Sequence, residues 1–315
     1  MPGPPLVTGA TGFAGSHLIE QLLDQHTSVS AWAHRGGRQP GQGGDTRVRW
    51  RSVDLLDRAA VSHALSETRP SVIYHCAGIA HVGESWSEPV RALRVNALGT
   101  HHLLEGAREA GLMCAILVTG SALVYRSSPH ALSETAPLGP SDPYGVSKLA
   151  QEMLASSAVH EPTFIVRPFN HAGPRQSSTY ATSSFARQIA EIEAGRREPV
   201  LHVGNLDARR DITDVRDTVR AYQLVVQHGQ SRRPYNVCAG RAYRVRDLLD
   251  ALIALSSVRI DVQVDPSRLR PSDNAVIAGD RSRIEAETGW VPAIPIERTL
   301  DDLLNYWRRQ TSLHP

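Results

Sequence analysis

The sequence predicts an α/β protein built on a doubly wound parallel sheet, followed by a smaller mixed α/β region. Three observations support this class. Short apolar runs alternate with segments of helical periodicity over residues 6–168. The first run ends in a glycine-rich turn that opens a helix. After residue 168 the pattern changes to short strands and helices that have no glycine turn of their own.

The composition indicates an ordinary globular protein. A chain of 315 residues with 41% hydrophobic and 21% charged residues can bury a large core. Its formal net charge of +2 gives no signal for polyanions, so we expect no nucleic-acid partner. No leader or membrane-spanning segment is recognisable. The three cysteines lie in apolar runs without metal-ligand spacing, which predicts buried thiols, no metal site and a cytoplasmic location.

The strand predicted at residues 6–8 leads into a turn that suits a dinucleotide phosphate. Glycines let the backbone approach a pyrophosphate, and the following helix offers unpaired N–H groups at its start. The spacing differs from the usual G-x-G-x-x-G form, so a simple tight turn is the alternative. The residues of this turn expected to contact the cofactor of a Rossmann domain are Gly9, Thr11, Gly12, Phe13 and Gly15.

The second predicted strand, residues 29–33, is followed by Arg35 rather than by an acidic residue. An acidic residue here would bind the ribose hydroxyl of NAD, whereas an arginine pairs with the 2′-phosphate of NADP. Arg38 is a second cation close by. We therefore expect NADP(H) in preference to NAD(H), with a basic surface loop as the alternative.

Three further predicted strands end in residues that suit the same ligand. Asp54 and Leu55 follow the first and are placed to flank an adenine ring. The small residues Ala77 and Gly78 follow the second and let a cofactor lie against the backbone, while Ser121 follows the third. Because the carboxyl ends of parallel strands share one edge, we expect these residues to converge with the glycine turn. The strands are predicted at residues 48–53, 72–74 and 115–118.

Tyr144 and Lys148 lie four positions apart in a helix predicted over residues 144–160. Lys148 is the only lysine, although 34 positions are lysine or arginine. A compact ammonium beside the phenol is expected to lower the tyrosine pKa from about 10 toward neutrality, where proton transfer works best. The alternative is an ordinary tyrosine and lysine on a solvated helix face.

A long helix predicted over residues 89–110 carries Asn96, whose amide is expected to tie the helix to neighbouring strand backbone. We divide the chain into a nucleotide-binding domain, residues 1–168, and a mainly substrate-binding region, residues 169–315, with crossing between them left open. Helices of the second region are predicted over residues 183–193, 214–227, 245–255 and 296–308.

In this order and spacing, the motifs resemble the extended short-chain dehydrogenases/reductases that act on nucleotide sugars. The resemblance covers nearly the whole chain and rests on the glycine turn, Asn96, Ser121, Tyr144 and Lys148. The C-terminal segments resemble the GDP-mannose 4,6-dehydratase branch, and within it the GDP-4-keto-6-deoxy-D-mannose reductases. These segments are residues 167–171, 203–211, 270–273 and 288–290.

The resemblance implies a role for each matching residue. Arg210 and Arg270 would hold the diphosphate of the sugar nucleotide, with Asn170 close to the same group and Asp273 on the ribose hydroxyls. An ion pair with Asp207 or Asp211 is the alternative for Arg210, and His171 is expected to be a packing residue. The implied catalytic residues are Ser121, Tyr144 and Lys148, and those implied at the cofactor include Asn96, Tyr144, Lys148 and Pro168.

The resemblance also implies a homodimer formed through the helices at residues 89–110 and 144–160. The residues expected on their outward faces are Ala92, Leu103, Leu149 and Met153, with burial in the core of the same chain as the alternative.

The reaction implied is NADPH-dependent reduction of a 4-keto sugar nucleotide, which needs only a hydride and a proton. Dehydratases carry Glu two positions after the serine or threonine, where this chain has Leu123, and many reductases also keep an acidic residue there. Leu123 can act as neither acid nor base, which disfavours dehydration. The alternatives are an epimerase or 4-ketoreductase acting on a UDP- or dTDP-sugar, and a non-catalytic NADP-sensing protein.

Overall fold

The computed structural model describes residues 3–34, 45–160, 162–268 and 274–313. Its strands are β1 (Leu6–Thr8), β2 (Val29–Ala33), β3 (Val48–Ser52), β4 (Val72–His75), β5 (Ala115–Thr119), β6 (Thr163–Pro168), β7 (Asn170–Ala172), β8 (Val200–Val203), β9 (Arg209–Asp214), β10 (Pro234–Val237), β11 (Ala242–Arg244), β12 (Asp261–Val264) and β13 (Val276–Ile277).

The α-helices are α1 (Phe13–Leu23), α2 (Arg58–Thr68), α3 (Val82–Ser87), α4 (Pro89–Leu93), α5 (Gly99–Glu109), α6 (Pro143–Ser157), α7 (Ala181–Glu193), α8 (Val215–His228), α9 (Val245–Ala254), α10 (Ser282–Thr288) and α11 (Ile296–Leu313). A π-helical turn, Arg94–Leu98, joins α4 to α5, and short 3-10 turns span Ala122–Val124 and Pro266–Arg268. Across the described ranges, no helix has the length and apolar character needed to cross a bilayer.

Seven strands form one parallel sheet in the order β10-β6-β5-β4-β1-β2-β3. The chain winds outward in one direction through β2 and β3 and in the other through β4, β5 and β6. The sheet is therefore doubly wound, and its switch point lies between β1 and β4. The predicted fold class is confirmed.

Helices cover both faces of this sheet and bury its apolar side chains. On one face α1, α8 and the segment after α10 contribute Leu18, Leu22, Val219, Tyr222 and Trp290. On the other face α2, α5 and α6 contribute Val61, Leu65, Leu103 and Ala155. Burying each leucine or valine stabilises the fold by about 1.5–3 kcal/mol relative to exposure. The two helical layers are therefore held firmly on the sheet, and this keeps the strand ends in fixed positions.

The second region has its own core and smaller sheets. β9 pairs with β11, β13 and β7, and β8 pairs with β12. The core lies between α7, α9 and α11 and includes Phe185, Ile189, Leu249, Leu252 and Leu303. Between these elements the chain returns to the first region, because β10 pairs with β6 and α8 packs against α1. A boundary at residue 168 thus separates the regions only in part, which is the crossing that the sequence left open.

The helix predicted over residues 89–110 is interrupted by the π-helical turn Arg94–Leu98. Such turns widen a helix locally and occur frequently at functional sites. Here the turn carries Asn96, whose side chain is fully buried.

The outward faces expected on the two helices are corrected by the structure. Ala92 and Leu103 are both 0% exposed, Leu103 because it belongs to the core between helices and sheet, and Leu149 is partly buried. Of the four residues expected to face outward, Met153 does so, with 63% of its surface exposed. Other exposed apolar side chains on this surface are Trp86, Val90, Leu93 and Val146.

Candidate active site

The glycine turn has the shape that a phosphate cradle requires. Gly9 has a φ of 65°, which favours glycine, and a Cβ there would lie 2.7 Å from the backbone of Ala77. A Cβ on Gly15 would collide with the carbonyl of Gly9. Gly12 caps α1 without a side-chain hydrogen bond to the first turn. The turn therefore leaves open the N–H groups and the space that a pyrophosphate would need.

The neighbouring strand ends lie at the same edge. Asp54 accepts a hydrogen bond from the Leu56 N–H at 2.9 Å, and Leu55 is 8% exposed. His102 binds the Leu55 carbonyl through Nδ1 at 2.8 Å, so this loop is fixed to α5. Pro168 ends β6 on that edge. The residues expected to read the 2′-phosphate and part of the sugar nucleotide, Arg35, Arg38, Arg270 and Asp273, lie outside the described residues.

Ser121 and Tyr144 meet where β5 and α6 converge. Asp142 caps α6 by accepting from the Gly145 N–H at 2.8 Å, which places Tyr144 in the first helical turn. The Ser121 hydroxyl accepts from the Leu123 N–H at 3.1 Å and lies close enough to the Tyr144 phenol to act on its pKa, which it lowers against the larger effect of burial. Ser121 is 6% and Tyr144 9% exposed. The two hydroxyls thus form a nearly dry pair.

Lys148 lies one turn further along α6 and is 4% exposed. Its Nζ donates to the Thr119 carbonyl and to Gln151 Oε1, both at 2.9 Å, and lies 6.0 Å from the centre of the Tyr144 ring. Burial lowers the pKa of this ammonium to about 8. The structure therefore brings together all three residues that the sequence predicted as catalytic.

The predicted effect of Lys148 on Tyr144 is wrong. The pKa of Tyr144 is raised, because burial disfavours the phenolate and outweighs the hydrogen bond from Ser121 that acts in the opposite direction. The Lys148 ammonium is hydrogen-bonded to other acceptors rather than to the phenol oxygen. Four-residue spacing correctly placed the two side chains on one face, but it carried no information about desolvation.

Asn96 ties its helix to the backbone of the loop that follows β4, and not to strand backbone as the sequence led us to expect. Its Oδ1 accepts from the Ile79 N–H at 2.8 Å, and its Nδ2 donates to the Ile79 carbonyl at 3.1 Å. The same Nδ2 donates to Ser147 Oγ at 2.8 Å, which links the π-helical turn to α6. A Cβ on Gly78 would lie 2.6 Å from Asn96 Oδ1, so this corner of the site is closely packed.

Tyr180 is a site residue that sequence reasoning missed. Its hydroxyl donates to the Ala80 carbonyl at 3.2 Å, and its ring meets His81 edge-on with 5.8 Å between centroids. It lies near enough to Tyr144 to raise the pKa of that phenol further. No motif marks this tyrosine, since the contact depends on how the segment before α7 folds back over the loop between β4 and α3.

The expected substrate side lies in the second region. Asn170 is exposed in β7. Arg210 is half-buried in β9 and donates to the Asn274 carbonyl at 2.7 Å. Both carboxylates considered as alternatives for Arg210 have other partners: Asp207 pairs with Arg244 at 2.5 Å, and Asp211 accepts from the backbone of the loop after β10.

Two further features border this side. Gly204, Asn205, Leu206, Asp207, Arg244, Arg246 and Val264 line a cleft of about 540 Å³. His171 stacks on Phe13 with 5.5 Å between centroids and an interplanar angle of 6°, and its Nδ1 is 3.1 Å from the Phe169 carbonyl. The expected packing role of His171 therefore agrees with the structure.

Comparisons with known proteins agree with this architecture. Residues 6–303 match the family model described as GDP-mannose 4,6 dehydratase. The GDP-6-deoxy-D-mannose reductase of Pseudomonas aeruginosa is 33% identical over 312 residues, covering 96% of each chain. A GDP-mannose 4,6-dehydratase of Vibrio cholerae is 26% identical, covering 98% of this chain and 94% of that protein.

Solved structures give the same result. The structure of RMD from Pseudomonas aeruginosa complexed with NADPH has a TM-score of 0.85 at 30% identity and covers 98% of this chain and 99% of its own. MoeE5 in complex with UDP-glucose and NAD has a TM-score of 0.85 at 27% identity, covering 98% and 100%. The family-model match over nearly the whole chain and the 33% identity lead to one conclusion. The chain belongs to the GDP-mannose 4,6 dehydratase family and has the extended short-chain dehydrogenase/reductase fold.

Proposed function

We propose that this protein reduces the 4-keto group of a GDP-4-keto-6-deoxy-hexose with NADPH. The observation that carries the proposal is the buried, adjacent pair of Ser121 and Tyr144 beside the only lysine of the chain, at the sheet edge that holds the glycine turn. The similarity to a GDP-6-deoxy-D-mannose reductase supports the substrate class.

In the proposed reaction NADPH supplies a hydride to C4 of the sugar when it is bound. Tyr144 donates its phenolic proton to the oxygen that becomes an alkoxide, and Ser121 hydrogen-bonds the same oxygen. Lys148 holds a positive charge close to the phenolate left behind. The raised pKa of Tyr144 keeps the phenol protonated at neutral pH, so the resting group is a proton donor.

A second feature supports reduction over dehydration. Leu123 is half-buried in the 3-10 turn that follows Ser121, where the branch's dehydratases carry an acid. An apolar side chain there offers no group to remove the C5 proton or protonate the C6 hydroxyl. Reduction needs neither step.

The finer parts of the proposal extend to the cofactor and the assembly. We propose NADP(H) over NAD(H) on the basis of Arg35, and the Pseudomonas aeruginosa structure complexed with NADPH supports this choice, although MoeE5 is complexed with NAD. We also propose a homodimer through α4 and α6, supported by their exposed apolar side chains, and a cytoplasmic location. Asn170, Arg210, Arg270 and Asp273 remain the proposed contacts to the sugar nucleotide.

The test is to mix the purified protein with NADPH and 4-keto-6-deoxy sugars carried on GDP, dTDP or UDP, and to follow the loss of nicotinamide absorbance. Turnover with the GDP sugar should exceed that with the other two. Tyr144→Phe should lower turnover by about 10²-fold or more, while the control Tyr306→Phe, in α11 of the second region, should not. Unchanged turnover in Tyr144→Phe would remove this residue from the mechanism. Binding of NADPH without turnover of any sugar would favour a sensor.

A further inference from the structure

A chain of buried hydrogen bonds runs from Lys148 to the strand that carries the glycine turn. Gln151 accepts from Lys148 Nζ through Oε1 and donates through Nε2 to Thr100 Oγ1, both at 2.9 Å. Thr100 Oγ1 is 2.8 Å from His75 Nε2, and His75 Nδ1 is 2.8 Å from Thr8 Oγ1. Lys148 is 4% exposed, and the other four residues are at most 1% exposed.

The direction of each hydrogen bond follows from the number of protons available. Thr100 has one hydroxyl proton and donates it to the Asn96 carbonyl at 2.6 Å, so it must accept from both Gln151 and His75. His75 therefore carries its proton on Nε2 and accepts from the Thr8 hydroxyl through Nδ1. Burial lowers the pKa of His75 to about 3, which agrees with a neutral ring. Every polar atom in the chain then has a partner of the correct kind.

The same count fixes the orientation of the Gln151 amide. Its NH2 group is held by Thr100, so its oxygen must face Lys148. Rotating the amide would place two donors, the NH2 group and the ammonium, against each other. The ammonium has three N–H groups. Two of them donate to the Thr119 carbonyl and to Gln151 Oε1, and these two hydrogen bonds fix the direction of the third N–H group.

We propose that Gln151 is a positioning residue that holds the Lys148 ammonium and joins it, through Thr100 and His75, to the strand that leads into the glycine turn. The inference rests on the role proposed for Lys148. The chain ends on Thr8, which precedes Gly9 and also accepts from the Ala77 N–H at 3.3 Å. The lysine and the backbone of the dinucleotide turn are thus held in one hydrogen-bonded unit.

Few ionisable or polar side chains face the Lys148 ammonium from the elements packed against it. His75 and Cys76 approach it from the end of β4, and Tyr144 and Gln151 from α6. A neutral amide at position 151 satisfies the ammonium without the charge of a carboxylate. Replacing the amide with an apolar group or with an acid should therefore shift the lysine pKa in opposite directions.

The single lysine makes this shift directly measurable. Protein labelled with lysine carrying ¹⁵N at Nζ should give one side-chain resonance, which Lys148→Arg would remove and which can be titrated by NMR without sugar or NADPH. A hydrogen bond to a charged group corresponds to about one to two pKa units. We expect Gln151→Leu to lower the Lys148 pKa by that amount, Gln151→Glu to raise it by about one unit or more, and Thr100→Val to lower it less than Gln151→Leu.

The matched control is Gln188→Leu. Gln188 is another buried helical glutamine, 1% exposed, which pairs with His202 in the second region. The Gln188→Leu variant should lose stability, because its hydrogen bonds to His202 are lost, but the pKa of Lys148 should stay unchanged. Loss of the fold in Gln151→Leu would move the lysine pKa up, toward about 10.4, and so cannot imitate the expected fall.

An unchanged Lys148 pKa in Gln151→Leu would overturn the positioning role, and an unchanged value in Thr100→Val would overturn the link to β1. Activity gives an independent readout, because the alkaline limb of the pH profile for turnover should move with the titrated pKa in each variant. If no sugar is reduced, the proposed function fails while the titration still decides the role of Gln151.

Discussion

Gly145 is the position where one added methyl group should separate the catalytic pair. It follows Tyr144 in α6, and a Cβ there would lie 2.8 Å from Pro140 Cβ and 3.2 Å from the Leu123 carbonyl carbon, with the Leu123 oxygen closer still. Ordinary carbon–carbon contacts are about 3.5–4.0 Å. Gly145→Ala therefore requires α6 and the 3-10 turn to move apart by about 1 Å, and both of the nearest groups are held by backbone.

The consequence follows from what these two elements carry. Ser121 caps the 3-10 turn and Tyr144 lies in the first turn of α6, so the movement increases the distance between their hydroxyls. A displacement of about 1 Å in a catalytic geometry can cost about 10²-fold in rate. Overpacking costs about 1–3 kcal/mol of stability, and the better helix propensity of alanine returns up to about 1 kcal/mol. We expect a large loss of turnover with a modest loss of stability.

Turnover and thermal unfolding of Gly145→Ala should be compared with those of Gly106→Ala. Gly106 is also helical, but a Cβ there would meet side-chain ends, with Leu65 Cδ1 at 3.1 Å, which can shift. The control should keep near-normal turnover. Wild-type turnover in Gly145→Ala would refute the claim that the two elements are rigidly spaced.

Three other predictions concern stability and assembly. Burial lowers the pKa of His75 in the folded state to about 3, below its pKa of about 6.5 in the unfolded state. The neutral ring therefore contributes its full share to the free energy of unfolding above about pH 6.5, and this share is lost as the pH falls. Denaturation at pH 7 and pH 4.5 should show a loss of about 3 kcal/mol that is absent in His75→Gln. Glu152→Leu should cost about 3–5 kcal/mol by leaving buried Arg167 without its carboxylate partner, measured by denaturant unfolding. Light scattering should give a dimer mass that falls to the monomer mass in Val146→Glu/Met153→Glu; a wild-type monomer would contradict the proposed assembly.

The sheet was predictable because central parallel strands are continuous apolar runs that stop at polar residues or glycine. Val29–Ala33 illustrates this: all five residues are buried, and the predicted limits agree with the structure. The π-helical turn at Arg94–Leu98 was not predictable, since the sequence there has helical periodicity and neither proline nor glycine precedes it within the helix after Pro89. What distinguishes the turn is tertiary, namely the hydrogen bonds that Asn96 makes to Ile79 and Ser147.

Within the site, the sequence revealed the residues that belong to recognisable motifs and missed those whose role depends on a tertiary contact. Tyr144 and Lys148 stand four positions apart on one helix, so their proximity follows from helical geometry. Gln151 and Thr100 are 51 positions apart, and no local pattern connects them. The sequence did contain a signal for Gln151, because a residue three positions after Lys148 lies on the same helix face. It contained no signal for Thr100, the partner of Gln151.

The raised pKa of Tyr144 changes the reasoning about the direction of catalysis. A phenol that resists ionisation gives up its proton only to a strong base, and the alkoxide formed at C4 by hydride transfer is such a base. Proton and hydride transfer are then coupled in the reducing direction. An epimerase that begins by oxidising the C4 hydroxyl would instead need the phenolate first, which burial disfavours. With Lys148 at a pKa of about 8, the ammonium is present at neutral pH when the phenolate forms, but its charge is lost under alkaline conditions. The same burial therefore keeps the Tyr144 phenol protonated, which is the state that reduction of a ketone requires, and the pH profile of turnover should fall as Lys148 loses its charge.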